Sequence, residues 1–133
     1  MLFAERIRER GNTVSSRPFW TAFSFGLVLQ LCIVVAGHFV PVIKDNVFAV
    51  GGIALSLIAG AVYAWLARGA LRNDLVGGTV VGGLCAFVGI AVSVALTDVP
   101  AQILILGTIS SAVAGLLGGF IGRLLRRPTV IAR

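Results

Sequence analysis

Residues 99–122, VPAQILILGTISSAVAGLLGGFIG, run for 24 positions without a charged side chain and decide the fold. About 20 apolar residues in a helix cross the hydrocarbon core of a bilayer, which is about 30 Å thick. Strands of a membrane barrel would instead alternate in polarity over about 10 residues, and this stretch does not alternate. It therefore predicts a membrane-spanning helix, because a helix satisfies its own backbone hydrogen bonds in lipid.

Three further charge-free spans precede it: residues 18–43, 46–67 and 75–97, of 26, 22 and 23 residues. The chain is 58% apolar and 12% charged, with a mean hydropathy of +1.03. A soluble fold of 133 residues could not bury that much apolar surface. We therefore predict an all-α fold with one membrane domain over 1–133, a four-helix transmembrane bundle. The predicted helices cover about residues 19–40, 47–67, 75–96 and 101–122.

The basic residues mark one side of the membrane. Of the 11 Lys and Arg side chains, ten fall before the first span, between the second and third, or after the fourth. They are Arg6, Arg8, Arg10, Arg17, Arg68, Arg72, Arg123, Arg126, Arg127 and Arg133. Only Lys44 lies in the other connections, so the positive-inside rule predicts that both termini are cytoplasmic. Residues 1–18 are then an amphipathic cytoplasmic tail and 123–133 a basic one. Topology thus accounts for the net charge of +6, which removes the argument for a nucleic acid partner and leaves the lipid bilayer as the expected one.

The four spans divide into two similar halves. The short connections at 41–46 and 97–100 make each half an antiparallel helical hairpin. A shift of 55 residues superposes eight positions of the second span and its flank on eight of the fourth. These are Gly52, Ser56, Ala59, Gly60, Ala64, Trp65, Arg68 and Arg72 over Gly107, Ser111, Ala114, Gly115, Gly119, Phe120, Arg123 and Arg127. A shift of 53 does the same for Leu31, Cys32, Val35 and Asp45 over Leu84, Cys85, Val88 and Asp98. Small residues also recur by chance, but the pattern favours two tandem hairpins related by an axis along the membrane normal.

Small residues recur at every fourth position and form ridges along the helices. The ridges of the fourth span are Gly107, Ser111, Gly115 and Gly119, and Ser110, Ala114, Gly118 and Gly122; the second span has Gly52, Ser56 and Gly60, and the third Gly78 and Gly82. Such ridges let two membrane helices approach closely. They predict packing within one bundle or, alternatively, a contact with a second copy of the chain or with a larger membrane complex.

Few polar side chains fall within the spans. Gln30, near the middle of the first span, is expected to hydrogen-bond to another helix, with Ser56, Ser93, Thr108, Ser110 and Ser111 as possible partners. Alternatively, Gln30, His38, Ser110 and Ser111 share a polar path for a solute. His38 lies about one turn from the end of its span, where it fits an interfacial position better than a proton-transfer or metal site. Asp74 and Asp98 fit cap or turn positions.

Catalytic patterns are missing from the sequence. No pair of carboxylates shares a helix face, no Ser, His and Asp set converges, and the Gly-Gly steps have no phosphate-loop lysine. The sequence thus predicts no catalytic residue, no cofactor and no metal site. The expected function is that of a non-enzymatic structural or accessory membrane protein. The alternative is a small oligomeric channel or transporter for a small solute, and an enzyme acting on lipid is a third hypothesis.

In general terms the chain resembles small glycine-rich four-helix proteins of the bacterial plasma membrane. This likeness implies a multi-pass protein of a prokaryotic inner membrane and implies no activity. The first span lacks the embedded glutamate that small multidrug transporters use. The ten-to-one bias of basic residues also differs from the weak bias of fluoride channels, which assemble as oppositely oriented pairs.

Overall fold

The computed structural model describes residues 2–3 and 14–126, and residues 14–126 form an all-α bundle. Its helices are α1 (Ser16–Phe39), α2 (Pro41–Asn46), α3 (Phe48–Ala67), α4 (Leu71–Ala95) and α5 (Gln102–Leu125). All except the short α2 are long and apolar enough to cross a membrane, as in a multi-pass membrane protein. Residues 1 and 4–13 of the predicted N-terminal tail, and 127–133 of the C-terminal tail, lie outside the described residues.

Local backbone chemistry sets the helix ends. Pro41 occupies the first turn of α2, where its fixed φ suits a helix start and its missing N–H leaves no hydrogen bond unmade. Arg68 caps α3 in the left-handed conformation, with φ of 49°. Thr97, just after α4, is also left-handed, with φ of 61°. These positions turn the chain between successive long helices.

Three helices extend beyond the charge-free spans that predicted them, and α1 does so by beginning at Ser16, ahead of Arg17. α4 begins at Leu71 rather than near residue 75, and α5 continues to Leu125 rather than ending near 122. The added turns contain Asp74 and Arg123, whose side chains form an ion pair. Because the charges of Asp74 and Arg123 compensate each other, α4 and α5 each continue through a charged residue. The connection between α3 and α4 therefore shortens to residues 68–70.

Helix α5 lies in the groove between α3 and α4, and its contacts with these two helices are the most extensive between any pair in the described bundle. Helix α1 packs on the other side of the α3–α4 pair, and the described helices α1 and α5 do not contact each other. The core between α1, α3 and α4 is built from Ala22, Ala59, Tyr63, Val81 and Cys85. The molecule is therefore a tight three-helix unit, α3–α4–α5, with α1 added to one face.

Large apolar side chains cover the outside of the bundle. On α5 they include Ile105, Leu106, Ile109, Val113, Leu117 and Leu124, all exposed. The interior holds mostly small residues, which is typical of membrane proteins, because lipid solvates large apolar side chains as well as a protein core does. Two ends of the bundle are distinguished below. The Asp74 end contains residues 67–74 and the end of α5, and the Asp98 end contains α2 and residues 96–101.

Candidate functional site

One small-residue ridge of α5 lies against α4. A Cβ atom built on Gly82 would lie 2.8 Å from Cα of Gly115, and one built on Gly78 would lie 2.5 Å from the carbonyl oxygen of Gly115 and 3.0 Å from Cα of Gly119. Real Cβ atoms do not approach backbone this closely, so these positions admit glycine alone without a shift of the helices. The four predicted packing residues Gly78, Gly82, Gly115 and Gly119 meet each other within one chain.

The second ridge of α5 lies against α3. A Cβ atom on Gly118 would collide with the carbonyl of Leu57, and one on Gly122 with that of Ala61. On α3, the corresponding atom on Gly60 would collide with the carbonyl of Gly115. The halves of both ridges nearest the Asp74 end are thus covered inside the bundle, and the backbones touch where these glycines lie.

Buried Ser56 joins α3 to α4 beside this contact. Its hydroxyl lies 2.9 Å from the carbonyl oxygen of Gly52 in its own helix and 3.3 Å from that of Gly82 in α4. Donation to either oxygen satisfies the hydroxyl, and the second contact adds to the packing between helices. The predicted packing residue Ser56 therefore also supplies a polar link.

Asp74 is the centre of an ion cluster at the Asp74 end. Its side chain is fully buried, and its Oδ2 accepts hydrogen bonds from Arg123 at 3.0 Å and from Arg126 at 2.8 Å. Its Oδ1 accepts the backbone N–H of Gly69 at 3.2 Å. Asp74 lies in the fourth position of α4, so it is not the cap residue that its place in the sequence suggested.

The two arginines also bind backbone. Both donate to the carbonyl of Gly69, Arg123 at 3.0 Å and Arg126 at 2.8 Å, and Arg126 donates to the carbonyl of Ala64 at 3.2 Å. The cluster thereby ties the end of α3, the 68–70 connection, the start of α4 and the end of α5. Charge-assisted bonds of this kind are stronger than neutral ones.

Asp98 centres a second cluster at the Asp98 end. Nδ1 of His38 lies 2.9 Å from one carboxylate oxygen and Nζ of Lys44 lies 3.4 Å from the other. Desolvation acts to raise the pKa of Asp98, but the hydrogen bonds and positive charges of His38 and Lys44 outweigh it and lower the pKa below its usual value. His38 is thus paired across the bundle, joining α1 and α2 to the α4–α5 connection.

A cavity of about 220 Å³ lies between the halves of α3 and α5 nearest the Asp98 end. Ala49, Gly52 and Ile53 of α3 line it from one side, together with Phe48. The facing residues are Ile103, Leu106, Gly107, Ser110 and Ser111 of α5, with Ile90 of α4 and Gln30 of α1 completing the wall. Beyond the cavity, toward the Asp74 end, Gly60, Gly118 and Gly122 close the other half of the contact between α3 and α5.

The Gln30 amide is the notable polar group of this cavity. The residue is 2% exposed, and its Oε1 is buried without a hydrogen-bond partner. The predicted bond to a serine or threonine of another helix is therefore wrong for this oxygen. Ser56 and Ser110 both contact carbonyls of their own helices, Ser110 that of Leu106 at 2.9 Å. Local carbonyls compete well for hydroxyl groups in a helix.

The residues of the predicted polar path separate into two groups. Gln30, Ser110 and Ser111 come together around the cavity, as do the predicted packing residues Gly52 and Gly107. His38 lies instead in the Asp98 cluster. Within residues 14–126 no three His, Cys, Asp or Glu side chains are grouped to hold a metal ion.

The four long apolar helices are those of a multi-pass membrane protein, and Gln30, Ser110 and Ser111 border a largely apolar pocket within the part of the chain that the structure describes. Comparison of the chain with models of protein families, with curated proteins and with solved structures found no match.

Proposed function

We propose that the chain is a non-enzymatic accessory protein of a prokaryotic plasma membrane, which assembles with copies of itself or with a larger membrane complex. The observation that carries this proposal is the use of its buried charge. Asp74 is fully buried, and Arg123 and Arg126 neutralise it while binding the backbone. Ionisable groups inside membrane proteins usually mark transport or proton transfer, but these are engaged in holding three helices together.

The hydroxyl groups support the same proposal. Thr79 and Ser110 donate to carbonyls of their own helices, and Ser56 contacts two carbonyls. A nucleophile needs a base within hydrogen-bond reach, and none of these four contacts joins a hydroxyl to a His, Asp or Glu side chain. An enzyme acting on lipid is therefore the least supported of the three hypotheses.

The orientation proposed for the bundle has both termini in the cytoplasm. The Asp74 end has four arginines, Arg68, Arg72, Arg123 and Arg126, and one acid, Asp74, whereas the Asp98 end has Lys44 and His38 with Asp45 and Asp98. The positive-inside rule favours the Asp74 end as the cytoplasmic one. The same arginines suit a surface of anionic lipid better than nucleic acid, because two of them already bind Asp74.

A reporter tag in the connection at Lys44 is expected on the side of the membrane opposite to tags at Met1 and Arg133. The reason is the distribution of arginine, which opposes translocation of the segments that contain it. Protease or dye accessibility in intact cells and in inverted vesicles measures the sidedness. Tags at Lys44 and Arg133 facing one compartment would contradict the topology.

A tandem duplication of one helical hairpin is proposed for the origin of the bundle. Gly60 and Gly115, which lie 55 residues apart as the sequence shift requires, meet each other, and Gly52 and Gly107 both line the cavity. Equivalent residues of two parallel helices meet when a twofold axis runs between the helices. The symmetry is incomplete, because α4 contacts α3 whereas α1 lacks the equivalent contact with α5.

Solute passage is the second candidate function, and the cavity favours it. Gln30, Ser110 and Ser111 line a pocket near the Asp98 end. Toward the Asp74 end, however, the helices are in close contact where Gly115 meets Gly60, Gly78 and Gly82. A solute therefore has no space to pass through a single chain at that level. A channel would therefore need an opened bundle or an assembly of several chains.

Purification from the native membrane in mild detergent is expected to yield an assembly heavier than one chain of 13.8 kDa, as measured by mass spectrometry of the intact particle. Proteoliposomes containing the purified chain are expected to pass glycerol and urea no faster than empty liposomes. Rapid flux through a single chain, abolished by Gln30→Leu, would contradict the accessory function and support the transport function.

A further inference from the structure

We propose that the cavity between α3 and α5 is a binding site for a small apolar molecule that carries one hydroxyl group and enters from the lipid. Its volume, about 220 Å³, exceeds the roughly 150 Å³ of an engineered apolar cavity that takes up benzene. It is smaller than the pockets of about 300–1,000 Å³ that hold drug-sized ligands. The space therefore fits one substituted ring or a short branched chain.

The Gln30 amide gives the site its polar contact. Oε1 has no hydrogen-bond partner, and a buried acceptor left in this state is costly. Oε1 is enclosed in this structure, so the amide must turn toward the cavity that Gln30 borders before a ligand hydroxyl can donate to this oxygen or accept from the amide N–H. Carboxylate or ammonium ligands fit poorly, because the residues that line the cavity are all uncharged and a bare charge is expensive in an apolar site.

Neighbouring glycines make room for the Gln30 side chain. Cγ of Gln30 lies where a side chain on Gly89 would be, and Nε2 lies 3.1 Å from a Cβ atom built on Gly52. The side chain thus passes between α3 and α4 and brings the amide to the edge of the cavity.

A water molecule alone explains the site less well. One water occupies about 30 Å³ and needs two to four polar partners, whereas Ile53, Ile90 and Ile103 contribute to a largely apolar wall. The exposed side chains of Ala49, Ile53 and Leu106 border the cavity on the outer surface of the bundle. Entry is therefore lateral, between α3 and α5, for a molecule already dissolved in the bilayer.

The test uses the full chain in nanodiscs of phosphatidylethanolamine and phosphatidylglycerol, with a phenol that carries a trifluoromethyl diazirine as the photolabel. Competitors are p-cresol and p-xylene, which have nearly the same shape but differ by one hydroxyl group. We expect labelled peptides to map to the cavity residues of α3 and α5. We also expect p-cresol to block labelling at a concentration in the bilayer about five- to tenfold lower than that of p-xylene, as one net hydrogen bond predicts.

Two variants and a matched control complete the test. Gln30→Leu is expected to abolish the advantage of p-cresol over p-xylene. Ala49→Trp, at the exposed mouth, is expected to reduce labelling severalfold, whereas Val50→Trp, 71% exposed on the same helix and outside the cavity lining, leaves labelling unchanged. Should Gln30→Leu fail to fold, the two tryptophan variants still distinguish labelling in the cavity from labelling of the outer surface of the bundle.

Equal competition by p-cresol and p-xylene in the unmodified chain would overturn the proposal, because the cavity would then be a gap filled by acyl chains. Labelling that Ala49→Trp and Val50→Trp reduce equally would overturn it as well. Binding without solute flux leaves the accessory function intact, and failure of the accessory function does not affect the labelling result.

Discussion

Replacement of Asp74 by alanine is expected to lower the free energy of unfolding by about 3–5 kcal/mol, the usual effect of breaking a buried ion pair on one side. The substitution leaves Arg123 and Arg126 facing each other without an anion and leaves the N–H of Gly69 without its acceptor. Since the cluster joins three helices, the loss is expected to open the Asp74 end of the bundle. Equilibrium unfolding in mixed micelles of detergent and SDS measures the change.

Controls separate the cluster from a general effect of charge. Asp45→Ala, at an exposed position of α2, is expected to change stability by less than about 0.5 kcal/mol. Arg123→Ala is expected to cost less than Asp74→Ala, because Arg126 still neutralises the acid. Simultaneous replacement of Asp74, Arg123 and Arg126 by leucine is expected to restore part of the loss, as apolar replacement of whole buried ion clusters often does. Similar stability of Asp74→Ala and Asp45→Ala would mean that the cluster does not hold the helices together.

The helices were predictable because their signal is local. Four charge-free spans are long enough to cross a bilayer, and the four long helices follow them closely, with α3 ending at Ala67 as predicted. The starts of α4 and the end of α5 were not predictable from composition, because the charges there are compensated by residues about 50 positions away in the sequence. The spacing of Arg123 and Arg126, three apart at the end of α5, was the available signal for a shared partner. The sequence alone placed Asp74 at a cap or turn, and the cluster was not predicted.

The cavity depends on packing between residues far apart in the sequence, so it could be predicted only in part. The residues Gln30, Ser110 and Ser111 were singled out by their polarity, and the structure brings all three to one pocket. The missing hydrogen-bond partner of Gln30 Oε1 could not be predicted, because it depends on which acceptors the serine hydroxyls bind. His38 was expected at an interface, and its partner Asp98 lies 60 residues along the chain. Pairing across hairpins requires the three-dimensional arrangement, which no local pattern contains.

The glycine ridges explain why α5 fits its groove, and they lead to the second large expected effect. Gly115→Ala is expected to destabilise the bundle by about 1–3 kcal/mol, the usual cost of an extra methyl group in a filled core. Its Cβ atom would collide with the carbonyl of Gly78 and lie 3.0 Å from Cα of Gly82. Both obstacles are backbone, so relief requires α4 and α5 to separate, although alanine is otherwise the better helix former.

Gly107→Ala on the same helix is the matched control for Gly115→Ala. The new methyl group there would meet only the tip of Ile90, 2.5 Å away, and this flexible side chain can turn into the adjacent cavity. Stability of the Gly107 variant is therefore expected within about 0.5 kcal/mol of the original, measured by the same SDS titration. Equal losses in the two variants would mean that glycine acts through helix propensity. A loss confined to Gly115 would show that close backbone approach holds α5 against α4, and that this part of the ridge is occupied within one chain.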